Sequence, residues 1–307
     1  MKRTFAIGIG VCAAVFLLVR ADATNAAAKV YFAQEKETLA TTLYPVYEMG
    51  LKGQDLKEFK PGGSSLNAPE GIAIAPAGNK IAMASPAGIY ELLIMNANGT
   101  GKTYLNDAGL GADHMVSWAP GSTEMAFTRE SYELNEFIGK IYLVGTNGKN
   151  TSLVLIDNPK LKHAYNPSYA PGGNRLVFEG VNLNGIHNIY TVKTDGTRMK
   201  KLTKCTKGCL EPRFSPNGKR IAFIKRYKKQ YHLYTMKKDG SSKKQLTSNA
   251  KARTPYYSPN GKKIFYSFKK KGEVDFEIYS LRLRDKNKKR LTDNGVDDLR
   301  PTVGELN

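Results

Sequence analysis

Apolar positions in this chain fall in short runs and do not recur at the spacing of a helix face. Leu176-Val177-Phe178, Ile221-Ala222-Phe223 and Ile264-Phe265-Tyr266 are examples. Such runs, bounded by turn residues, predict strands buried on both faces. Each is followed by a second run containing Tyr: Ile189-Tyr190-Thr191-Val192, Leu233-Tyr234-Thr235-Met236 and Ile278-Tyr279-Ser280-Leu281, with Ile141-Tyr142-Leu143-Val144 earlier. Polar turn signals separate the runs. Ser-Pro-Asn-Gly suits a tight turn because Pro presets φ and Gly relieves the last position. Asn98-Gly99, Asn147-Gly148, Asp195-Gly196 and Asp239-Gly240 are hairpin signals. Asp285-Lys286-Asn287 takes that place once and is a weaker turn. Short fourth strands follow at Lys201-Leu202-Thr203, Gln245-Leu246-Thr247 and Arg290-Leu291-Thr292.

These elements repeat. Glu211-Pro212-Arg213-Phe214-Ser215-Pro216-Asn217-Gly218-Lys219-Arg220-Ile221-Ala222-Phe223 recurs as Thr254-Pro255-Tyr256-Tyr257-Ser258-Pro259-Asn260-Gly261-Lys262-Lys263-Ile264-Phe265-Tyr266. An earlier copy starts at Asn166-Pro167-Ser168-Tyr169-Ala170-Pro171, and weaker ones surround Pro120 and Pro76. The anchor prolines 76, 120, 171, 216 and 259 are spaced by 44, 51, 45 and 43 residues, the length of a four-stranded propeller blade. Leu299-Arg300-Pro301-Thr302-Val303 opens a sixth unit, and Lys29-Val30-Tyr31-Phe32 supplies the strand that unit lacks. Thr42 to Tyr47 and a turn near Gly53 follow, with Pro45 marking an irregular edge. The expectation is an all-β, six-bladed propeller of four-stranded blades over residues 29–307, closed by the N-terminal strand.

The N-terminal segment reads differently. Lys2 and Arg3, the apolar run Phe5 to Val19, and Ala21-Asp22-Ala23 describe a secretory signal peptide over residues 1–23. A second small-residue site, Ala26-Ala27-Ala28, allows cleavage as late as residue 28. The run is too short for a membrane span and Arg20 closes it, so no transmembrane anchor is expected after cleavage. The expected address is periplasmic or secreted, and the expected state is a monomer.

Charge adds an asymmetry. The chain carries 47 Lys+Arg against 27 Asp+Glu, a formal net charge of +20. Residues 1–153 are nearly neutral at −1, whereas residues 154–307 hold +21. A basic half normally points to nucleic acid, but export removes that partner. An anionic envelope component or an acidic protein is expected instead, and no nucleic acid.

The Pro-x-[aromatic]-Ser-Pro-Asn-Gly-Lys-x-Ile-x-[aromatic] unit, with Ile-Tyr, Asp-Gly and Leu-Thr downstream, resembles the WD40-like repeat of TolB-type β-propellers. Asn217 and Asn260 stand where that family usually has Asp. The resemblance covers roughly residues 29–307 and concerns the propeller part of TolB. It implies that connections between second and third strands share one face, and that Pro-Asn-Gly and Asp-Gly turns share the other.

On that first face, Lys225, Arg226, Tyr227, Lys228 and Lys229 in one loop, and Lys269, Lys270 and Lys271 in another, form a candidate anion-binding patch. The plain alternative is solvated surface charge. A loop from Thr128 to Gly139 carries Glu130, Glu133 and Glu136 and is expected to repel the same ligand. Cys205 and Cys209, separated by Thr-Lys-Gly, favour a small disulfide loop in an exported protein over a metal pair or two free thiols. His114, His163 and His187 precede or end connections near one channel mouth and are candidate transition-metal ligands. His232 aligns with Asn188 and Glu277 and reads as an exposed strand residue. No Gly-x-Ser-x-Gly elbow, Walker loop or His-Glu-x-x-His motif occurs. The leading expectation is a non-enzymatic binding scaffold without a cofactor. The rival is a metal-dependent lyase or hydrolase acting on an acidic polysaccharide.

Overall fold

A computed structural model describes residues 28–307, except 39–40, 86–90, 106–110, 134, 148–151, 154–157, 249 and 307. The expected signal peptide lies outside the described residues. The fold is an all-β propeller whose one helical element among the described residues is a 3-10 turn at Pro61–Gly63. No helix of the described residues is long and apolar enough to cross a membrane.

Four sheets have four strands each. One joins Asp298–Gly304, Lys29–Gln34, Val46–Gly50 and Lys57–Glu58 in that order, so the N-terminal strand pairs antiparallel with the C-terminal one. The others are Ile72–Ile74 to Thr103–Tyr104, Gly111–Trp118 to Ser152–Leu153, and Leu161–Tyr169 to Lys200–Lys201. The remaining two repeats, Cys209–Phe214 to Lys244–Gln245 and Ala250–Tyr257 to Lys288–Arg290, share an eight-stranded sheet. A parallel pairing of Tyr231 with Lys251 joins them. This corrects the expectation of six separate four-stranded sheets. Four stand alone, and the fifth and sixth repeats are fused where the strand Ala250–Tyr257 runs beside Gln230–Lys237.

The repeated residues have repeated structural jobs. Ser215 Oγ accepts from the Arg220 N–H at 3.0 Å, and Asn217 Oδ1 from Lys219 N–H at 3.0 Å. Ser258 and Asn260 repeat this at 2.9 and 3.0 Å. The glycine of each turn, Gly218 or Gly261, sits at φ 64° or 66°, where a Cβ is disfavoured. Asp285 closes its turn by accepting from Asn287 N–H at 3.1 Å, with Lys286 left-handed in the place of glycine. The aromatic ends of the second strands pair across to the tyrosines of the third. Phe127–Tyr142, Phe178–Tyr190 and Phe223–Tyr234 lie directly opposite one another with ring centroids 5.8, 5.6 and 5.7 Å apart. Such cross-strand aromatic pairs are the unit of sheet stabilisation.

The Leu-Thr dipeptide locks the outermost strand. Leu202, Leu246 and Leu291 each donate their N–H to the third strand at 2.8 Å. Thr203, Thr247 and Thr292 each accept, through Oγ1, the N–H of Ile189, Leu233 or Ile278 at 2.9 Å. The side chain one residue earlier in the third strand then meets the threonine: Thr203 Oγ1 donates to Asn188 Oδ1 at 2.9 Å, and Thr292 Oγ1 donates to Glu277 Oε2. His232 holds that position in the intervening repeat and is buried, not exposed as its alignment had implied. Burial lowers its pKa.

The first strands of the repeats surround the axis, each packing beside the next and the last beside the first. Five of them carry a register shift, and inside each lies a non-glycine residue with positive φ: Met115, Asn166, Glu211, Thr254 and Arg300, at 58°, 54°, 51°, 45° and 55°. Gly71, at φ 73°, occupies the same place before Ile72–Ile74. Left-handed backbone at non-glycine residues costs about 1–2 kcal/mol each, so bulges here are features of the repeat.

Candidate functional site

Each second strand runs back from the turns holding the anchor prolines, so the hairpins between second and third strands all point the other way. On that hairpin face the basic residues occupy ends of strands. Arg220–Tyr227 reaches through Lys225, Arg226 and Tyr227, and Lys263–Lys270 through Lys269 and Lys270. Only Lys228, Lys229 and Lys271 are in turns, which corrects their placement on two loops. Lys225 and Lys269 are half-buried and the rest are exposed.

The two hairpins are tied together by stacked cations and rings. Arg226 lies 5.8 Å from the centroid of Tyr231, Arg253 bridges Tyr231 and Phe276 at 5.8 and 5.5 Å, and Lys269 sits 5.6 Å from Phe276. Lys225 stacks on Tyr234 and Lys228 on Tyr227 at 5.6 and 5.7 Å. No carboxylate lies within ion-pair distance of these cations among the described residues. A cation over a ring keeps its charge available. Cys205 and Cys209 are joined by a disulfide. The loop they close contributes Thr206 and Lys207 to a cleft of about 340 Å³, completed by Gly185, Ile186, Arg226 and Lys228.

The acidic segment is a long hairpin, Glu124–Glu133 and Glu136–Gly145, and not a loop. Its carboxylates are largely engaged. Glu133 pairs with Lys140 at 2.7 Å, Glu136 with Lys162 at 2.5 Å, and Glu130 faces His114 at 3.7 Å. The hydrogen bond from Lys140, and then that from Ser131, holds the Glu133 carboxyl below its usual range. Arg129, in the same hairpin, is buried and bidentate on Asp113 at 2.7 and 2.9 Å.

The structure does not gather the three histidines around one point. His114 faces Glu70 and Glu130, His163 stacks on Tyr165 and accepts the Gly139 N–H at 3.3 Å, and His187 meets Glu179 at 2.5 Å. Among the described residues no three His, Cys, Asp or Glu side chains converge as metal ligands.

Along the axis lies a chamber of about 560 Å³ that the sequence reading missed. All six first strands line it, together with the five anchor prolines at its mouth. Ile72, Ile74, Trp118, Tyr169, Phe214 and Tyr256 form an apolar wall. At its inner end Arg300 is paired with Glu70 at 2.5 and 3.0 Å, and Arg213 enters from the wall. Beside this end, the N–H groups freed by the bulges are caught by carboxylates. Glu179 Oε2 accepts from Glu211 N–H at 2.9 Å and from Asn166 Nδ2 at 3.0 Å, and Glu211 Oε2 accepts from Thr254 N–H at 2.5 Å. Burial first, and then the charge of Glu179, pushes the Glu211 carboxyl up. One signal for this ring was present in the repeats: the residue five before each anchor proline varies from Gly to Met, Asn, Glu and Thr, and in the last three copies a proline follows it.

The sequence pattern of the TolB beta propeller domain (PD40) matches residues 138–302. No curated protein matches the sequence. Among solved structures, TolB from Acinetobacter baumannii superposes with a TM-score of 0.72 at 17% identity, over 90% of this chain and 66% of that one. The chain therefore spans just under two thirds of that protein. A structure from Agrobacterium tumefaciens assigned to TolB gives 0.68 at 16% identity, over 92% and 99% of the two chains. Oligogalacturonate lyase in complex with manganese gives 0.58 at 12% identity, over 80% and 70%. At these identities the likeness is one of fold.

Proposed function

Because the chain belongs to the TolB beta propeller domain family, we propose that it is an exported, non-enzymatic binding scaffold whose hairpin face docks an anionic partner. That partner is an acidic protein or an anionic envelope component, met in the periplasm or outside the cell. The leader that would direct export is read from residues 1–28 alone. In this reading the eight-stranded sheet acts as two blades, giving a ring of six with one first strand from each around the axis.

One observation carries the reading. Four successive hairpins end in large apolar side chains held out in solvent: Tyr132 and Phe137, Leu183, Tyr227, and Val274, between 57% and 83% exposed. Apolar side chains on four hairpins of one face offer contact area to a partner that spans them. Around the later tips stand Lys225, Arg226, Lys228, Lys229, Lys269, Lys270 and Lys271. Stacking on Tyr227, Tyr231 and Phe276 supports their use as a shaped patch, and an acidic ligand would face cations that form no ion pair among the described residues. The acidic hairpin contributes less steering than its sequence implied, because Lys140 and Lys162 already screen Glu133 and Glu136.

The test is a crosslinking pull-down from native envelope, followed by association kinetics with the captured partner at 20 to 300 mM salt. Replacing the seven cations by Ser or Gln should slow association about tenfold or more at low salt, and the difference should shrink as salt screens exposed charge over ~8 Å. Unchanged low-salt association would leave these residues as solvated surface charge. Glu130, Glu133 and Glu136→Gln together should change association less than twofold, since at least two of the charges are already paired.

A further inference from the structure

We propose that the axial chamber binds a small carboxylate with an apolar body, its carboxylate held by Arg213 and its body packed on the aromatic wall. The chamber opens among the anchor prolines, away from the hairpin face, so the site is independent of the scaffold reading above. Its volume of about 560 Å³ falls within the ~300–1,000 Å³ of small-molecule sites.

Arg213 is half-buried and lines the chamber. Its Nη1 donates to Pro167 O at 3.2 Å and to Pro212 O at 3.3 Å. Those carbonyls fix the plane of the group and leave the Nε and Nη2 edge without a partner among the described residues. That edge is the fork that takes a carboxylate bidentately. No protein carboxylate lies within ion-pair distance of it among the described residues.

The nearby acids are accounted for. Glu70 is taken by Arg300. Glu211, two residues before Arg213, is engaged by the Thr254 N–H and makes no ion pair with the guanidinium among the described residues. Glu305 lines the mouth and is exposed. A partly desolvated cation lacking a counter-ion is costly, and an incoming carboxylate offsets that cost. With one fork in reach, the chemistry fits a monoanion. Trp118, Tyr169, Phe214 and Tyr256 supply flat apolar area for an aromatic or alkyl body.

The chain has a single tryptophan, Trp118, and it lines the chamber with its indole donating to Ala73 O at 3.0 Å. Its fluorescence therefore reports occupancy. The experiment titrates the protein with 4-bromobenzoate, 4-bromobenzamide and 4-bromobenzylamine, whose bromine quenches a ring in contact. Saturable quenching is expected, with the benzoate about tenfold or more tighter than the other two. Arg213→Met should abolish that preference, and Arg213→Lys should keep part of it. Ala170→Leu, which narrows the wall, should remove saturable quenching by all three. Should Arg213→Met fail to fold, the preference in the wild type and its loss in Ala170→Leu still decide. Equal or linear quenching by all three probes overturns the proposal. So does an undiminished preference in Arg213→Met, or saturable quenching retained in Ala170→Leu.

Discussion

His232 is where the repeats depart from their own chemistry. At the matching positions Asn188 and Glu277 each meet the threonine of the outermost strand, but His232 Nδ1 is buried without a hydrogen-bond partner among the described residues. An unmet buried polar atom costs about 1–3 kcal/mol. His232→Asn, copying Asn188, should therefore raise stability by about 1 kcal/mol in chemical denaturation at pH 8. The gain should grow in acid. Burial depresses the folded-state pKa of His232, so the wild type loses stability as pH falls below the unfolded value of about 6.5, and the Asn variant has no such loss. A denaturation midpoint that falls on substitution would contradict this. The alignment of 188, 232 and 277 was legible in the sequence. Their burial was not, because alternation shows only that one face of a strand differs from the other, and here both faces are covered.

At the scale of elements, the bulged first strands stand on a relay of carboxylates. Glu179 holds the freed N–H of Glu211, and Glu211 holds that of Thr254. Glu211→Ala should cost about 1–3 kcal/mol by leaving the Thr254 N–H unpaired. Glu211→Gln keeps an acceptor and removes a like charge beside Glu179, so it should be neutral or stabilising at pH 7 in thermal unfolding. Equal losses in both variants would refute the relay. Strand order and turn chemistry were readable from the repeat alone, and Leu-Thr marked the fourth strand there without showing the threonine bonds that lock it. The bulge was not, since it depends on what faces the axis once six strands converge, and no local pattern encodes that. The placement of Lys225 to Lys271 on loops failed for a related reason: charged residues end apolar runs in sequence, yet the hydrogen-bonded ladders continue through Tyr227 and Lys270.

For the whole molecule, the pairing of Lys29–Gln34 with Asp298–Gly304 closes the ring, and Asp298 sits buried at that seam. Its Oδ1 accepts from Gln34 Nε2 and its Oδ2 from Asn294 Nδ2, both at 3.0 Å. Glu277, buried next to it, is held by Arg290 at 2.7 Å. Burial, with the charge of Glu277, pushes Asp298 up to about 7. The folded protein then binds a proton that the unfolded chain releases near 3.8. Its stabilising effect is complete below that value and is lost as pH rises to about 7. Asp298→Asn should flatten this fall, so wild-type stability minus variant stability should decrease between pH 4 and pH 7 in urea denaturation. A constant difference across that window would exclude the seam proton. The closure itself could be read from the two incomplete ends of the repeat series. The proton could not, because it arises from two acids, Asp298 and Glu277, brought together by the ring.

Gly71, Met115, Asn166, Glu211, Thr254 and Arg300 share one backbone pose while having no chemistry in common. The shared pose thus admits side chains of unrelated chemistry. In evolutionary terms the bore is a word written on a fixed frame, in which letters of different chemistry are admitted, at least cost for glycine and at greatest cost for a β-branched residue. Propellers that keep the anchor prolines, the aromatic pairs and the Leu-Thr lock can diverge in what their axis recognises without any change of outline. The same shared pose makes this ring a starting point for engineered cavities in which the relay through Glu179 and Glu211 is kept and the other positions are varied.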